Sequence, residues 1–406
     1  MKIMLVDVYK IVNYAGGIEK VLCEFANHFS QRGDEVVIAC LDTEKGRPLY
    51  LLNDKVKFVN LCYEYGQQYN RGLKYYLVKF EKEFLRAVGG KKLQWRGKIR
   101  QDPKKKYFYD TFRERLKKCL EREKPDIVLG ASPDASMLVY QVVNLTDRVN
   151  TIQIGMCHVD ARYCIKHMLL EELDVWKAID AVQVLMPSFI KSVQQAGIKR
   201  VVCIPNNVKR LSTDERADLS LPHHNIISIG RFEKDVKRPH LIVESFCKIA
   251  DQFPEWNLVM YGDISNKKYI KEIQKKIKDN KLQNRIFLNG PTTKVYDVLR
   301  KSDVFVTASA SEGFGLAVTE AMSVGLPVVA YKGTGALDDL IENGINGYLC
   351  EDNNTFVEKL AILLDNKEQR LFMGEEAIKS IEKYDSNIIW NKWEQLLERL
   401  ILTKRR

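Results

Sequence analysis

The stretch from Ser309 to Ala330 constrains the fold more than any other part of this sequence. An apolar run typical of a buried strand precedes it at Val304 to Val306, and glycines then turn the chain into a helix. Gly325 ends that helix before a second strand. This order is typical of an α/β domain, which binds ligands at the carboxyl ends of its strands. We therefore expect an α/β fold with a ligand site at this loop.

Two carboxylates lie in this stretch. The pattern places Glu312 in the strand-to-helix loop and Glu320 about two turns into the helix. In these positions they can accept hydrogen bonds from the hydroxyls of a sugar and of a ribose, while the amides of Phe314, Gly315 and Leu316 can meet a phosphate. The alternative is a helix cap and a solvated helix face. The glycine-rich turn and the flanking strands favour a nucleotide-sugar site.

The whole stretch resembles the Glu-x7-Glu signature of the retaining glycosyltransferases of family 4, within the glycosyl transferases group 1, which have the GT-B fold. The resemblance is strongest from 201 to 349 and weakest from 62 to 124. It implies two Rossmann-like domains whose parallel sheets face a central cleft, and a C-terminal helix that crosses back to the N-terminal domain. The expected limits are 1–208 for the acceptor-side domain with a basic helical insertion at 62–124, 209–385 for the nucleotide-sugar domain, and 386–406 for the last helix.

Length and composition agree with two domains. The chain has 406 residues, which is too long for one ordinary hydrophobic core. Its composition, 45% hydrophobic and 29% charged residues, is too apolar for a disordered chain. Its nine cysteines are scattered, as in a reduced cytosolic protein. The apolar run at the N-terminus meets Asp7 too early for a signal peptide, and no run is long enough to span a membrane. We expect a cytoplasmic location.

Two features of the first half point to the donor. Gly16 and Gly17 open a helix after the first predicted strand, where backbone amides can approach a phosphate, and they resemble the N-terminal glycine loop of the same family. His158 follows another predicted strand. A lone histidine is more often structural, but in the family that this chain resembles a histidine there points at the donor sugar and its phosphate.

Two cations of the second half flank a loop after a predicted strand. Arg231 and Lys237 can converge on a diphosphate, arginine bidentately and lysine as a point charge. Surface charge is the usual alternative, but the register resembles the phosphate-binding segment of family 4. Thr292 is the nearest candidate for the loop whose backbone holds the base in related enzymes. The later loop departs from the family's Gly-Gly-x-x-Glu pattern at Ala336 and Asp339.

The resemblance implies transfer of a hexose or N-acetylhexosamine from a nucleoside-diphosphate sugar to a lipid-linked or growing cell-surface glycan, with retention. A UDP-sugar is favoured and GDP-mannose comes next. Arg231, Lys237 and the helix N-terminus would stabilise the diphosphate leaving group, Glu320 would hold the ribose, and Glu312 a sugar hydroxyl. No Asp-x-Asp occurs, and the cations can replace a metal, so we expect neither a metal nor another cofactor.

The net charge of +11 is concentrated in residues 71–118, which hold 17 lysines and arginines against 5 acidic residues. Helical spacing there predicts two amphipathic helices, one containing Leu73, Phe80 and Phe84 and one that follows Lys104. Such helices could lie against an anionic membrane, on the inner face of the plasma membrane, or grip an anionic acceptor. A solvated face is the alternative. Composition alone also allows nucleic acid, a partner we do not expect.

Two rival functions remain. A nucleotide-sugar epimerase of the same architecture would need acid and base groups around the sugar and no acceptor surface, and the basic helices argue against it. A sugar-nucleotide-binding scaffold with an inactive site is disfavoured because every expected polar group is present. The products distinguish these hypotheses: a new glycoside, an epimerised donor, or neither.

Overall fold

The computed structural model describes residues 1–65, 72–88, 103–146, 150–220 and 223–404. These residues group into two compact units. The first unit contains Met1–Val184, Phe189–Ile204 and the residues from Trp393 onward, and the second contains Leu185–Ser188 and Pro205–Lys392. The domain limits at 208 and 385 stay a prediction from the sequence.

The first unit is built on a parallel sheet of seven strands in the order β3-β2-β1-β4-β5-β6-β7. Its strands are β1 (Lys2–Asp7), β2 (Glu35–Cys40), β3 (Lys57–Asn60), β4 (Ile127–Gly130), β5 (Ile152–Cys157), β6 (Ala181–Val184) and β7 (Val201–Cys203). A parallel sheet is covered on both faces, which explains why β1 and β4 are continuous apolar runs without alternation. The strand order reverses between β1 and β4.

Seven helices accompany this sheet within the described residues. They are α1 (Gly17–Arg32), α2 (Leu73–Ala87), α3 (Pro103–Glu123), α4 (Pro133–Val143), α5 (Ala161–His167), α6 (Leu170–Ala178) and α7 (Pro187–Gln195). The helix ends follow local chemistry. Ser132 caps α4 by accepting a hydrogen bond from the amide of Ala135 at 3.1 Å, and Gly33 ends α1 at a φ of 102°.

The second unit is built on a parallel sheet of six strands in the order β10-β9-β8-β11-β12-β13. The strands are β8 (Asn225–Ile229), β9 (Asn257–Tyr261), β10 (Ile286–Asn289), β11 (Val304–Thr307), β12 (Val328–Tyr331) and β13 (Gly347–Cys350). The helices are α8 (Pro239–Ile249), α9 (Lys267–Asp279), α10 (Val295–Leu299), α11 (Leu316–Ser323), α12 (Leu337–Leu340), α13 (Asn353–Asp365) and α14 (Lys367–Ile381). Here the order reverses between β8 and β11.

The last helix, α15 (Ser386–Lys404), begins in the second unit and ends in the first. Its Trp393 ring meets the ring of Phe25 edge-on at 5.2 Å, and Glu394 lies 2.8 Å from the ring nitrogen of His28. Near its end, Lys404 pairs with Asp180 at 3.0 Å. These contacts confirm the predicted return of the last helix to the N-terminal domain.

The predicted insertion at 62–124 contains α2 and α3, which pack against each other. The predicted break at residues 89–96 lies outside the described residues. None of the helices that the structure describes is long and apolar enough to cross a membrane. None of the nine cysteines forms a disulfide, and seven of them are buried.

Two glycines lie where the carboxyl ends of β8 and β9 meet. The amide of Gly230 donates to the carbonyl oxygen of Tyr261 at 2.9 Å, and a Cβ atom on Gly262 would lie 1.9 Å from the carbonyl oxygen of Gly230. Backbone cannot yield as a flexible side chain can, so Gly262 fixes the position from which Arg231 leaves the sheet.

We expect Gly262→Ala to lower the melting temperature, because the new methyl group forces two strand ends apart at a cost of about 1–3 kcal/mol. The matched control is Gly290→Ala at the end of β10, where a Cβ atom would have no heavy atom within 4 Å. Thermal unfolding followed by circular dichroism measures both. Equal melting temperatures for the two variants would contradict the close approach.

Candidate functional site

Arg238 joins the loops that follow β8 and β11. Its guanidinium donates hydrogen bonds to the carbonyl oxygens of Ala308 at 2.7 Å and Ser309 at 3.1 Å. The amide of Ala310 in turn donates to the carbonyl oxygen of Val236 at 2.7 Å. Arg238 adopts a left-handed backbone, with φ of 47°, directly before α8. These bonds hold the two loops as one piece at the point where the strand order reverses, the usual ligand position in such sheets.

Lys237 and Glu312 meet within this pair of loops. The ammonium nitrogen of Lys237 lies 2.5 Å from Oε1 of Glu312, and their side chains are 23% and 12% exposed. The sequence predicted separate partners for them, a phosphate for the lysine and a sugar hydroxyl for the glutamate. In this structure the two charges pair, which offsets part of the cost of taking either charge out of water.

The backbone of Glu312 is fixed by the loop after β12. Its amide donates to the carbonyl oxygen of Thr334 at 2.7 Å, and its carbonyl oxygen accepts from the amide of Ala336 at 3.0 Å. The carboxylate of Asp338 closes the same loop by accepting from the amide of Gly333 at 2.8 Å. Alanine at 336 acts here through its amide, so the departure from the family's second glycine leaves this contact intact.

α11 begins at Leu316, directly after Gly315. Gly315 has a φ of 78°, and a Cβ atom there would lie 2.9 Å from a methyl group of Leu337, so only glycine fits. The side chain of Phe314 is buried at 2% exposure, which leaves its backbone as the group that a ligand could use. Glu320, also buried, is the fifth residue of the helix. It therefore lies a little over one turn in, and the prediction of two turns was wrong.

Arg231 is the most accessible of the predicted cations. Its side chain is 52% exposed and pairs with Glu233 at 3.1 Å. Together with Lys237 it lines a small concavity over the strand ends, whose other walls include Tyr261 and Thr307. The concavity is thus bordered by both predicted phosphate-binding side chains.

Thr292 lies apart from this group. It follows β10, which is the edge strand of the sheet and three strands away from β11, about 15 Å at the usual strand spacing. Its hydroxyl oxygen accepts a hydrogen bond from the amide of Lys294 at 3.0 Å. The structure does not bring Thr292 against Glu312, and its contact with the base stays a prediction.

The carboxylate of Glu19 lies beside the predicted glycine loop of the first unit. Gly16 precedes α1 in an extended conformation, and a Cβ atom there would lie 2.1 Å from Oε2 of Glu19, the tip of a flexible side chain. A carboxylate is favourable at a helix N-terminus, where a phosphate would also be favourable. The phosphate-binding role of Gly16 and Gly17 stays a prediction.

His158 follows β5 at the carboxyl edge of the first sheet. Both ring nitrogens are buried and have no hydrogen-bond partner among the described residues. Burial lowers the pKa of His158 to about 4, so the ring is neutral at neutral pH. A neutral imidazole keeps one donor and one acceptor. Two unsatisfied polar atoms are costly in a purely structural role, which favours a ligand contact.

Sequence reasoning missed a carboxylate and tyrosine pair at the reversal between β1 and β4. The hydroxyl of Tyr9 donates to Oδ2 of Asp134, near the start of α4. Asp7 ends β1, and Oδ2 of its carboxyl group is buried without a partner among the described residues. Burial raises the pKa of Asp7 to about 6. The available signal was Asp7, an acidic residue at the end of an apolar strand. In the sequence it served only as an argument against a signal peptide.

Among the described residues no group of three or more histidine, cysteine, aspartate or glutamate side chains could hold a metal ion. The expectation that the reaction needs no metal stays a prediction.

Comparison with known families and proteins finds matches to glycosyltransferases. Residues 213–380 match the family model described as Glycosyl transferases group 1. The poly(glycerol-phosphate) alpha-glucosyltransferase of Bacillus subtilis is 33% identical over 164 residues, 39% of this chain and 24% of the relative. The N-acetyl-alpha-D-glucosaminyl L-malate synthase of Bacillus anthracis is 30% identical over 174 residues, 42% of this chain and 44% of the relative. The matched stretch thus spans less than half of these two relatives.

Solved structures match over nearly the whole chain. The Staphylococcus aureus protein TarM, crystallised with fondaparinux, alpha-GlcNAc-glycerol and UDP, aligns with a TM-score of 0.72 at 18% identity, covering 97% of this chain and 99% of TarM. Anabaena HepE, crystallised with UDP and glucose, aligns with a TM-score of 0.68 at 16% identity, covering 98% of this chain and 100% of HepE. With the two parallel sheets, these matches confirm the predicted GT-B fold class.

The pKa of Asp7 predicts how stability depends on pH. Because the folded-state value of about 6 exceeds the ordinary 3.8, the folded protein binds this proton more tightly than the unfolded chain. Stability is therefore lost as pH rises from 3.8 through about 6, by about 3 kcal/mol. Asp7→Asn removes this loss. The difference in melting temperature between the variant and wild type should therefore increase in favour of the variant from about pH 4 to about pH 7. Parallel curves for the two proteins would contradict the assignment.

Proposed function

Because residues 213–380 match the family model described as Glycosyl transferases group 1, we propose that this protein transfers a sugar from a nucleoside diphosphate to a hydroxyl group of an acceptor, with retention at the anomeric carbon. The observation that carries the proposal is the pair of Lys237 and Glu312, held 2.5 Å apart at the strand reversal of the second unit. A donor site needs a cation for the phosphate and a carboxylate for a sugar hydroxyl close together, and this pair provides both at the strand reversal.

The leaving group of the reaction is a diphosphate, and negative charge develops on it as the glycosidic bond breaks. Lys237, Arg231 and the first amides of α11 would stabilise that charge, and Lys237 and the amides are held in place before the reaction starts. When a phosphate takes the ammonium group of Lys237, Glu312 loses its partner and can accept a hydrogen bond from a sugar hydroxyl. Glu320, one turn along α11, would hold the ribose hydroxyls. His158, in the first unit, would contact the sugar and its phosphate as a neutral ring.

The proposed donor is a UDP-sugar that carries a hexose or N-acetylhexosamine, with GDP-mannose second. The support is that TarM and HepE were crystallised with UDP. The proposed acceptor is a lipid-linked or growing cell-surface glycan, and the relative named as a poly(glycerol-phosphate) alpha-glucosyltransferase supports a polymeric acceptor. The basic residues between 71 and 118 would face an anionic acceptor or lipid headgroups. The free cysteines favour a cytoplasmic site of action.

We expect the two glutamates of the signature to separate in their effects. Glu320→Ala should weaken the thermal stabilisation given by the donor nucleotide, and Glu312→Ala should lower turnover about 10–100-fold, as the loss of a charged hydrogen bond would. Glu351→Ala is the control, because Glu351 pairs with Lys332 in the same unit with a side chain that is 70% exposed. A thermal-shift series with UDP, GDP and their sugar conjugates measures binding, and product analysis measures turnover.

Wild-type binding and turnover in both variants would overturn the site. Product analysis also tests the two rivals, since an epimerised donor without a glycoside would replace transfer by epimerisation. Stabilisation by a nucleotide without any product, across a panel of acceptors, would favour the scaffold.

We expect transfer to need no metal, because the cations of the second unit take the place of a divalent ion. Transfer should proceed at the same rate in EDTA and in added magnesium or manganese. A loss of about tenfold or more in EDTA that manganese restores would show that the leaving group needs a metal.

A further inference from the structure

α2 turns its most apolar side away from the rest of the first unit. The outward row comprises Leu73, Leu77, Phe80, Phe84 and Val88, which directly follows the helix, with exposed fractions of 78%, 61%, 73%, 57% and 54%. They recur every three or four residues, so they form one stripe along the helix, about 22 Å long at the usual rise. Here this row is called the apolar stripe. Scattered exposed apolar residues are ordinary, but a continuous stripe is not.

The other side of α2 holds the helix on the protein. Tyr75 is 8% exposed, and Val78 and Leu85 are half-buried on the same side of the helix. The ammonium group of Lys74 lies 5.8 Å from the ring of Tyr107 on α3, and that of Lys104 lies 5.5 Å from the ring of Tyr75. α2 is therefore attached by its smaller apolar side, and among the described residues its larger apolar side stays exposed.

We propose that the apolar stripe docks this protein on an anionic lipid bilayer, with α2 lying in the interface and not spanning it. Interfacial helices bury a row of large apolar side chains at the level of the headgroups and need no spanning segment. Phenylalanine and leucine, which make up most of the stripe, are typical of the buried side of such helices. The inference does not depend on glycosyl transfer, because lipid binding is read without turnover.

Charge selects a bilayer over a second copy of the chain. The described residues 72–88 and 103–118 hold 11 lysines and arginines against 4 acidic residues, so two copies that met through the apolar stripe would bring two basic regions together. Anionic headgroups would instead attract them. Glu81 and Glu83 lie on α2 itself, so the attraction comes from the wider segment, including Lys104 and Lys106, more than from the helix alone.

The test is flotation of the full chain with vesicles of phosphatidylcholine alone or of phosphatidylcholine with phosphatidylglycerol, at low and at physiological salt. The variant is Leu77→Gln, Phe80→Gln and Phe84→Gln together; glutamine favours helix, and these side chains are exposed, so the fold should persist. We expect its binding to anionic vesicles to fall about tenfold or more, since each substitution removes apolar area from the interface. Circular dichroism and the thermal shift with nucleotide verify folding.

The matched control exchanges three exposed apolar residues outside the apolar stripe, Leu51→Gln, Leu170→Gln and Phe372→Gln, whose exposed fractions are 88%, 69% and 47%. It should bind vesicles as wild type does. A second variant, with Lys104, Lys105 and Lys106 changed to glutamine, should lose binding most at low salt, because screening already weakens that attraction at high salt.

Two results would overturn the proposal. One is wild-type protein that stays with neither kind of vesicle. The other is a stripe variant that floats as well as wild type. If wild type were a dimer by light scattering and the stripe variant a monomer, with no flotation by either, the apolar stripe would be an interface between copies. Nucleotide stabilisation in the same samples shows whether the donor site survives each change.

Discussion

The hydrogen bonds of Arg238 to the carbonyl oxygens of Ala308 and Ser309 are the contact on which the proposed donor site depends. They align the loop after β8 with the loop after β11, and the guanidinium also lies 5.3 Å from the ring centre of Tyr331. Lys237, one residue earlier, is thereby placed beside Glu312. Three neighbouring strand ends, those of β8, β11 and β12, thus share one hydrogen-bonded layer of loops. A ligand would meet a surface that is already organised.

The strands, the loop and the helix of the proposed donor site could be predicted from the sequence. Apolar runs and glycines located the strands, the loop before α11 and the helix that carries Glu320, because periodicity and backbone conformation are local properties. Local patterns do not reveal which long side chains meet across two strand ends. The pairing of Lys237 with Glu312 was therefore absent from the prediction, as was the role of Arg238. The apolar stripe was seen as a helical pattern, but a pattern cannot show which side of a helix is covered.

Charge states in the first unit were equally hidden from the sequence. The sequence shows an aspartate and a histidine but not how deeply the fold buries them. Burial raises the pKa of Asp7 to about 6 and lowers that of His158 to about 4. Both groups lie at the carboxyl edge of the same parallel sheet, the edge where ligands bind in such folds. Burial disfavours the charged form of each group, yet at neutral pH only His158 is uncharged, because Asp7 with a pKa of about 6 is largely ionised there.

The last helix ties the order of synthesis to the order of folding. Residues from Trp393 belong to the first unit, yet the ribosome makes them after the whole of the second. Until then α1 lacks the ring that covers Phe25 and the carboxylate that meets His28. Domains generally fold as units in the order in which they emerge. The amino-terminal unit therefore completes the cover of α1 only after the whole of the second unit has been made.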